Sequence, residues 1–354
     1  MPDKAALVVT SISAPNAVLN ALARGCQEND IQFIVIGDEP SPANFQLEGC
    51  RFLSLADQRQ LEFRFAQLCP TRHYARKNIG YLLAVRDRAT QIIETDDDNF
   101  PEPGFWSLRQ RRQSVITANN LGWINIYHYF TDANIWPRGL PLEHIHRAIP
   151  EFDALPQTTL DCPIQQGLAD QNPDVDAIYR LTLPLPQSFR KDRRIALGHD
   201  SWCPFNSQNT TWWRDAFTLL YLPAYCSFRM TDIWRSFIAQ RIAWANEWAV
   251  LFHEPTVWQE RNEHNLMRDF RDEVPGYLNN SALCDALSQL VIKPGVEHLG
   301  QNLRLCYEKL VSLNLVGREE LGLVDAWLDD LAEIFSRQED PQSAFGGQQS
   351  KGQA

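Results

Sequence analysis

The sequence predicts an α/β fold, a sheet flanked by helices with a helical appendage toward the C-terminal end. Two continuous apolar runs with a helical stretch between them, and a third run leading straight into three aspartates, carry that reading. Residues 5 to 12 (AALVVTSI) are rich in β-branched side chains and end at Ser13, Ala14 and Pro15, which suits a strand buried on both faces. Ser13 or Ala14 with Pro15 can open a helix in which Val18, Leu19, Leu22 and Cys26 share one face. A second run, IQFIVIG at 31 to 37, ends in the polar turn Asp38, Glu39, Pro40, so the segment reads as a β-α-β unit with a parallel sheet. A short strand near 51 to 55, a helical stretch over 57 to 68, a second helix from Ala75 to Arg88 and a strand over Gln91 to Thr95 continue the pattern. Ligands of such a layered domain bind beyond the carboxyl ends of the strands, where Asp38 and the run Asp96, Asp97, Asp98 stand.

From 123 to about 280 the sequence is mixed and Trp-rich, with apolar runs at 177 to 185 and 216 to 226. Leu303, Cys306, Leu310 and Leu313 then form one helical stripe, and Leu321, Val324, Leu328, Leu331 and Phe335 another, with Gly317 between them. The expected organisation is a main domain over 1–280, a helical hairpin over 281–337 and a disordered polar tail over 338–354.

At roughly 150 residues per domain, 354 residues make one large domain or two ordinary ones. A composition of 44% apolar and 22% charged residues is that of a folded soluble protein. The net charge of −11 repels phosphate backbones, which argues against nucleic acid as a partner, and any anionic substrate would need a local cation. The eight cysteines form no C-x-x-C pair and read as small core residues in a reducing compartment. The N-terminus lacks the basic flank and long apolar stretch of a secretory signal, and no window reaches about 18 uninterrupted apolar residues, so no membrane span and a cytoplasmic location are expected.

The strongest local signal is QIIETDDDN at 91 to 99. In an extended chain Asp96 and Asp98 point the same way and Asp97 oppositely, placing two carboxylates side by side at a strand end. Like charges that close call for a cation, and hard oxygen ligands select Mg²⁺ or Mn²⁺ shared with substrate phosphates. The alternative is a solvated acidic turn or a helix cap. Upstream, Tyr74-Ala75-Arg76-Lys77-Asn78 opens a helix whose first-turn cations oppose the helix dipole, so a negative partner is expected there: a phosphate, or surface carboxylates. No G-x-G-x-x-G, P-loop, G-x-S-x-G or H-E-x-x-H appears. What remains is a divalent metal with a diphosphate on an α/β sheet, as in the use of a nucleoside diphosphate donor.

The blocks VVTSI (8 to 12), IGDEPSP (36 to 42), RKNIGYLLAV (76 to 85), ETDDDN (94 to 99), WPRGLPL (136 to 142), QNPDVDAIYRLT (171 to 182), PFNSQNT (204 to 210), TDIWRS (231 to 236) and QERNEHN (259 to 265) resemble the STELLO-type glycosyltransferase family over about residues 5 to 280. A more distant similarity, in the Asn-Ile-Gly helix, the D-D-D run and a D-x-W block, is to the reversibly glycosylated polypeptides, which act as nucleotide-arabinose mutases. The resemblance implies a GT-A fold, a Rossmann-like mixed sheet flanked by helices, with a nucleotide-sugar donor and a D-x-D motif that holds Mn²⁺ or Mg²⁺ on the diphosphate. It places Thr10, Ser11 and Asp38 at the nucleoside, Arg76, Lys77 and Asn78 at the diphosphate or sugar, Asp97 beside the donor, Asp96 and Asp98 on the metal, and Asn209 at the sugar. The membrane anchor of the plant members is not expected.

Asp232, at the start of a helix in FRMTDIWRSFIAQR, reads as an N-cap or first-turn Asp from composition; the resemblance makes it the general base facing an acceptor hydroxyl. His253, after an apolar run, is the expected histidine of the metal shell, with His264 as the other candidate, and His144 and His146 are read as structural. Most of the eleven tryptophans are expected in the core, with Trp212 or Trp234 at the sugar. The reading is thus a metal-dependent glycosyltransferase acting on an unidentified glycan or other hydroxyl compound. The alternatives are a nucleotide-sugar mutase and a non-catalytic scaffold on a transferase fold. A nucleotidyltransferase would need a Gly-rich phosphate loop near the first strand, which is missing.

Overall fold

A computed structural model describes residues 4–260 and 265–339. The chain opens with strand β1 (Ala5–Thr10), helix α1 (Ala17–Glu28), β2 (Gln32–Ile36) and β3 (Cys50–Leu53). Two short helices, α2 (Leu55–Arg59) and α3 (Arg64–Leu68), precede α4 (Lys77–Arg86) and β4 (Gln91–Thr95). Then come β5 (Asn99–Pro101), β6 (Arg112–Ala118), β7 (Gly122–Trp123), the long β8 (Gln157–Asp170), α5 (Ala177–Thr182), β9 (Arg194–Leu197), β10 (Ser201–Trp202) and β11 (Asn209–Trp213). Helix α6 (Thr231–Ala245), β12 (Trp248–Gln259), α7 (Leu266–Ser288), α8 (Leu299–Ser312) and α9 (Glu320–Glu339) complete it.

Among the described residues ten strands make one sheet in the order β3-β2-β1-β4-β11-β8-β6-β9-β12-β5. Its first four strands are parallel, as the β-α-β pattern predicts. Alternation along β1 sends Ala6 and Val8 into the core under α4 and Leu7 and Val9 into the core under α1, which is why the run is apolar at every position. Helix α4 lies so close to β1 that a Cβ on Gly80 would stand 2.5 Å from Val8 Cγ1. Strand β11 then enters antiparallel to β4, pairing Asn209 with Thr95. The loop before β11 is thereby delivered to the carboxyl end of β4, and this reversal positions the site.

One expectation is corrected. The helical stretch over 57–68 is two short helices, because Phe63 takes an extended conformation between them. The apolar runs at 177–185 and 216–226 carry only α5 and a 3₁₀ segment over Arg214–Leu220. The C-terminal hairpin forms as α8 and α9, and it is built into the main core rather than hung from it. Trp327 is fully buried with its ring 6.3 Å from that of Phe65 and 6.1 Å from that of Tyr221. Asp330 accepts the Arg64 and Phe65 amides that start α3, at 2.9 and 2.8 Å. Residue 280 falls inside α7, residues 338 and 339 end α9, and the rest of the expected tail, 340–354, lies outside the described residues. The cysteines are free and buried or half-buried, as expected of core residues. No helix among the described residues is long and apolar enough to cross a membrane.

Candidate active site

An open cleft of about 620 Å³ lies at the carboxyl ends of β1, β2 and β4, and its lining brings together Thr10, Ser11 and Asp38 with Asp96, Asp97, Asp98 and Asp232. The three aspartates do not alternate as an extended chain would have them. The backbone turns at Asp97 and Asp98, with the Asn99 amide donating to the Asp96 carbonyl, so all three reach the same cleft.

Each carboxylate is tied to a different element. Asp96 accepts from the Tyr74 hydroxyl at 2.7 Å and pairs with Lys77 Nζ at 3.2 Å. Asp97 accepts from Ser11 Oγ at the end of β1. Asp98 accepts from Gln259 Nε2 at the end of β12, at 3.1 Å. Burial, with Asp96 beside it, pushes the Asp97 carboxyl above its ordinary range despite the Ser11 hydrogen bond. Burial next to Asp96 likewise pushes the Tyr74 phenol up, which keeps it a hydrogen-bond donor. At the end of β2, Asp38 is braced by the amides of Glu39 and His73 at 2.8 and 2.9 Å.

At the helix start, Lys77 and Asn78 are a correction, whereas Arg76 is nearly buried but lines the cleft. Every residue of α4 from Lys77 to Val85 is buried, so its first-turn side chains point into protein rather than toward a ligand. Arg76 donates to Gln58 Oε1 and to the carbonyls of Cys69 and Pro70. Asn78 brackets Leu222, donating to its carbonyl and accepting from its amide at 2.8 and 2.9 Å. Lys77 is fully buried under the acidic run, donating to Tyr74 and to the Thr95 and Ser207 carbonyls as well as to Asp96. The negative partner that the helix dipole calls for is therefore Asp96 in the case of Lys77.

Three further expectations fail on burial. His253 is 2% exposed inside β12, its ring against Arg109 and its Nδ1 2.9 Å from the Glu254 carbonyl oxygen. Burial and then Arg109 hold the imidazole well below its ordinary pKa, and it is absent from the cleft lining. His264, the other candidate, lies outside the described residues. Asn209 donates to the Leu168 carbonyl and Thr256 Oγ1 inside the sheet. Trp212 and Trp234 are core residues whose indoles bond Glu94 and Asn280 at 2.8 and 2.9 Å. The aromatic edge of the cleft is instead Phe228, 51% exposed and packed edge-on against His73 and Tyr74. His144 stacks on Trp123, as a structural histidine would.

Asp232 does face the cleft, and the residues that hold it were not singled out by sequence. Arg138 donates to both its oxygens at 3.1 and 3.0 Å and, from another edge, to both oxygens of Asp174 at 2.8 and 2.7 Å. The Ser207 amide adds a contact to Asp232 at 3.3 Å, and Ser207 Oγ lies 2.6 Å from the Tyr74 hydroxyl. A chain of contacts thus links Asp96 through Tyr74 and Ser207 to Asp232. Burial raises the Asp174 carboxyl, but Arg138 overrides it and holds the group below the ordinary carboxylate range. Arg229 completes this end of the cleft and is held by Glu273 of α7 at 2.9 Å. Arg138, Asp174 and Ser207 all fall in blocks that carry the family resemblance, and that was the available signal.

No group of three or more His, Cys, Asp or Glu side chains among the described residues is arranged to hold a metal ion by itself. The carboxylates at the turn are hard oxygen donors on an open cleft, and that chemistry suits Mg²⁺ or Mn²⁺ with ligand oxygens completing the shell.

Comparison with known proteins agrees with the sequence resemblance. A family model described as STELLO glycosyltransferases matches residues 229–339. The chain is 28% identical over 333 residues to the probable glycosyltransferase STELLO2 of Arabidopsis thaliana, covering 87% of this chain and 42% of that protein. It is 30% identical over 244 residues to STELLO1 of the same plant, covering 64% and 32%. The chain therefore spans less than half the length of these curated relatives. Among solved structures, glucosyl-3-phosphoglycerate synthase from Mycobacterium tuberculosis superposes with a TM-score of 0.41 at 10% identity, covering 79% of this chain and 81% of that one, too loose a likeness to argue from. By family model over residues 229–339, and by two curated proteins over longer stretches, this chain is similar to the STELLO glycosyltransferases.

Proposed function

We propose that this protein is a metal-assisted glycosyltransferase that takes a sugar from a nucleoside diphosphate carrier. The observation that supports it is the convergence of Asp96, Asp97 and Asp98 with the carboxyl ends of β1 and β2 on one open cleft. Thr10, Ser11 and Asp38 would receive the nucleoside, the position at which doubly wound sheets bind nucleotides. Asp96 and Asp98, with Asp97 beside them, would hold Mg²⁺ or Mn²⁺, which when bound offsets the charge of the departing diphosphate. Lys77 lies under the acidic turn and lowers the cost of assembling it before a ligand arrives. Unit charges 4 Å apart interact by about 4 kcal/mol at an effective dielectric of 20, so one buried cation matters on this scale. Asp232, oriented by Arg138 and Ser207, would take the proton of an acceptor hydroxyl.

Titration calorimetry with Mn²⁺ and nucleoside diphosphates, followed by donor turnover in Asp98→Ala, tests the reading. Metal-dependent binding and a folded but inactive variant are expected; turnover unchanged by the substitution overturns the proposal. Donor incubated without acceptor supplies the remaining distinction, since a ring-isomerised nucleotide sugar would make the protein a mutase.

A further inference from the structure

Beside the cleft is a second cavity of about 480 Å³, lined among others by Glu102, Asp170, Gln171, Asn172, Trp258 and Gln259. Gln259 lines both spaces, donating to Asp98 on the cleft side while its carbonyl accepts from Asn172 Nδ2 at 3.2 Å on the other. The two cavities are therefore neighbours that share Gln259.

Three features define what this cavity suits. Trp258 is half-buried, with one face stacked on Phe100 at 4.3 Å, which fixes a rigid aromatic surface in the wall. The polar lining is carboxylate and amide, groups that accept from and donate to adjacent hydroxyls. The charge is unfavourable to anions: Lys191, the cation beside the cavity, is taken by Glu102 and lies 3.6 Å from Asp170. Among the cleft cations, Arg72, Arg138 and Arg229 are each held by a carboxylate, Glu39, Asp174 with Asp232, and Glu273, while Arg76 donates to Gln58 and to the Cys69 and Pro70 carbonyls and Arg180 to Asn172 Oδ1 and the Pro173 carbonyl. The ionisable groups that line the cavity itself, Glu102, Asp170 and Glu260, are all carboxylates, so a phosphorylated or carboxylated acceptor would meet like charge there.

We infer that this cavity is the acceptor subsite and that it takes a neutral, extended carbohydrate, whose C–H face lies on Trp258 and whose hydroxyls bond Glu102, Asp170 and the neighbouring amides. An acceptor lying across Gln259 places its body in this cavity and its reacting end in the cleft that holds Asp98 and Asp232. The inference rests on the glycosyltransferase reading and adds the class of the acceptor to it.

The test is saturation-transfer NMR on the full chain with neutral xylo-, cello- and malto-oligosaccharides, and with sulfated heparin oligosaccharides as the anionic arm. The variants are Trp258→Ala, Asn172→Ala and, since loss of the tryptophan can unfold the strand, Gln171→Ala, which alters an exposed side chain. Mn²⁺-dependent nucleoside diphosphate affinity is measured on the same samples. The expected result is binding of a neutral series, weakened at least about tenfold in the variants, with nucleotide affinity unchanged. Preference for the sulfated arm, neutral binding indifferent to all three substitutions, or no carbohydrate binding by a protein that binds nucleotide would each overturn the subsite while leaving the donor reading intact. Failure to bind nucleotide at all would overturn both.

Discussion

Arg138 and Asp232 meet through two parallel hydrogen bonds of 3.1 and 3.0 Å, and the same guanidinium spans both oxygens of Asp174. One planar cation so holds two carboxylates that are 94 and 36 residues away from it in sequence. All three side chains are nearly buried.

Removing that cation strands two buried negative charges, so Arg138→Ala should cost about 3–5 kcal/mol in urea unfolding at neutral pH. Arg138→Lys should recover only part of the loss, because an ammonium cannot reproduce the fork. The pH dependence follows from Asp174, whose carboxyl is held below its unfolded value. A depressed carboxyl contributes stability that is present above the unfolded pKa of about 3.9 and is lost as pH falls through the folded one. Wild-type protein should lose this contribution on acidification below about pH 4, and the Arg138→Ala variant should show a flatter slope there.

Asp97 behaves oppositely. Its carboxyl is raised, so ionising it in the folded protein costs more than in the unfolded chain, and the penalty is present at neutral pH and relieved on acidification. Asp97→Asn should therefore raise the Tm of the ligand-free protein at pH 7, with a difference from wild type that shrinks toward acid pH. The same change should weaken Mn²⁺-dependent nucleotide binding. A Tm that falls at pH 7 would show that the charged form is needed for stability.

Tyr74 supports Asp96 without itself belonging to the acidic turn. Tyr74→Phe deletes its hydrogen bonds to Asp96, Lys77 and Ser207 while keeping the ring contact with Phe228. Partners of this outer kind are worth about 10- to 100-fold in metal affinity, and a loss in that range is expected for Mn²⁺ in calorimetry with nucleoside diphosphate present. His253→Gln, by contrast, should leave that affinity as it is, since His253 contacts Arg109 and lies away from the cleft lining.

The C-terminal helices should prove inseparable from the rest. Trp327→Ala opens a cavity between α9, Phe65 and Tyr221 and should cost about 3–5 kcal/mol. Denaturation should remain a single cooperative transition at a lower midpoint. A separate transition for the C-terminal part would show that the helices form a unit of their own.

What the sequence by itself determined was the element pattern of the N-terminal half and the address of the site. Apolar runs and turn residues report burial locally, so β1, α1, β2 and β4 are legible, and so is the placement of Asp38 and the Asp96–Asp98 run at strand ends. The family blocks marked Asp232 and the segments around it. Only the tertiary structure decided which polar side chains face the cleft. Lys77 and Asn78 look like part of a phosphate-binding helix start until α4 is seen buried from Lys77 to Val85, while Arg76 keeps its place in the cleft lining, and Asn209 and His253 look like ligands until they are found inside the sheet. Arg138, Asp174, Tyr74 and Ser207 carry no periodic signal, because their roles come from loops that land together when β11 enters antiparallel beside β4. Periodicity records how much of a side chain is covered. Which distant charge covers it is settled by where the sheet sends each loop.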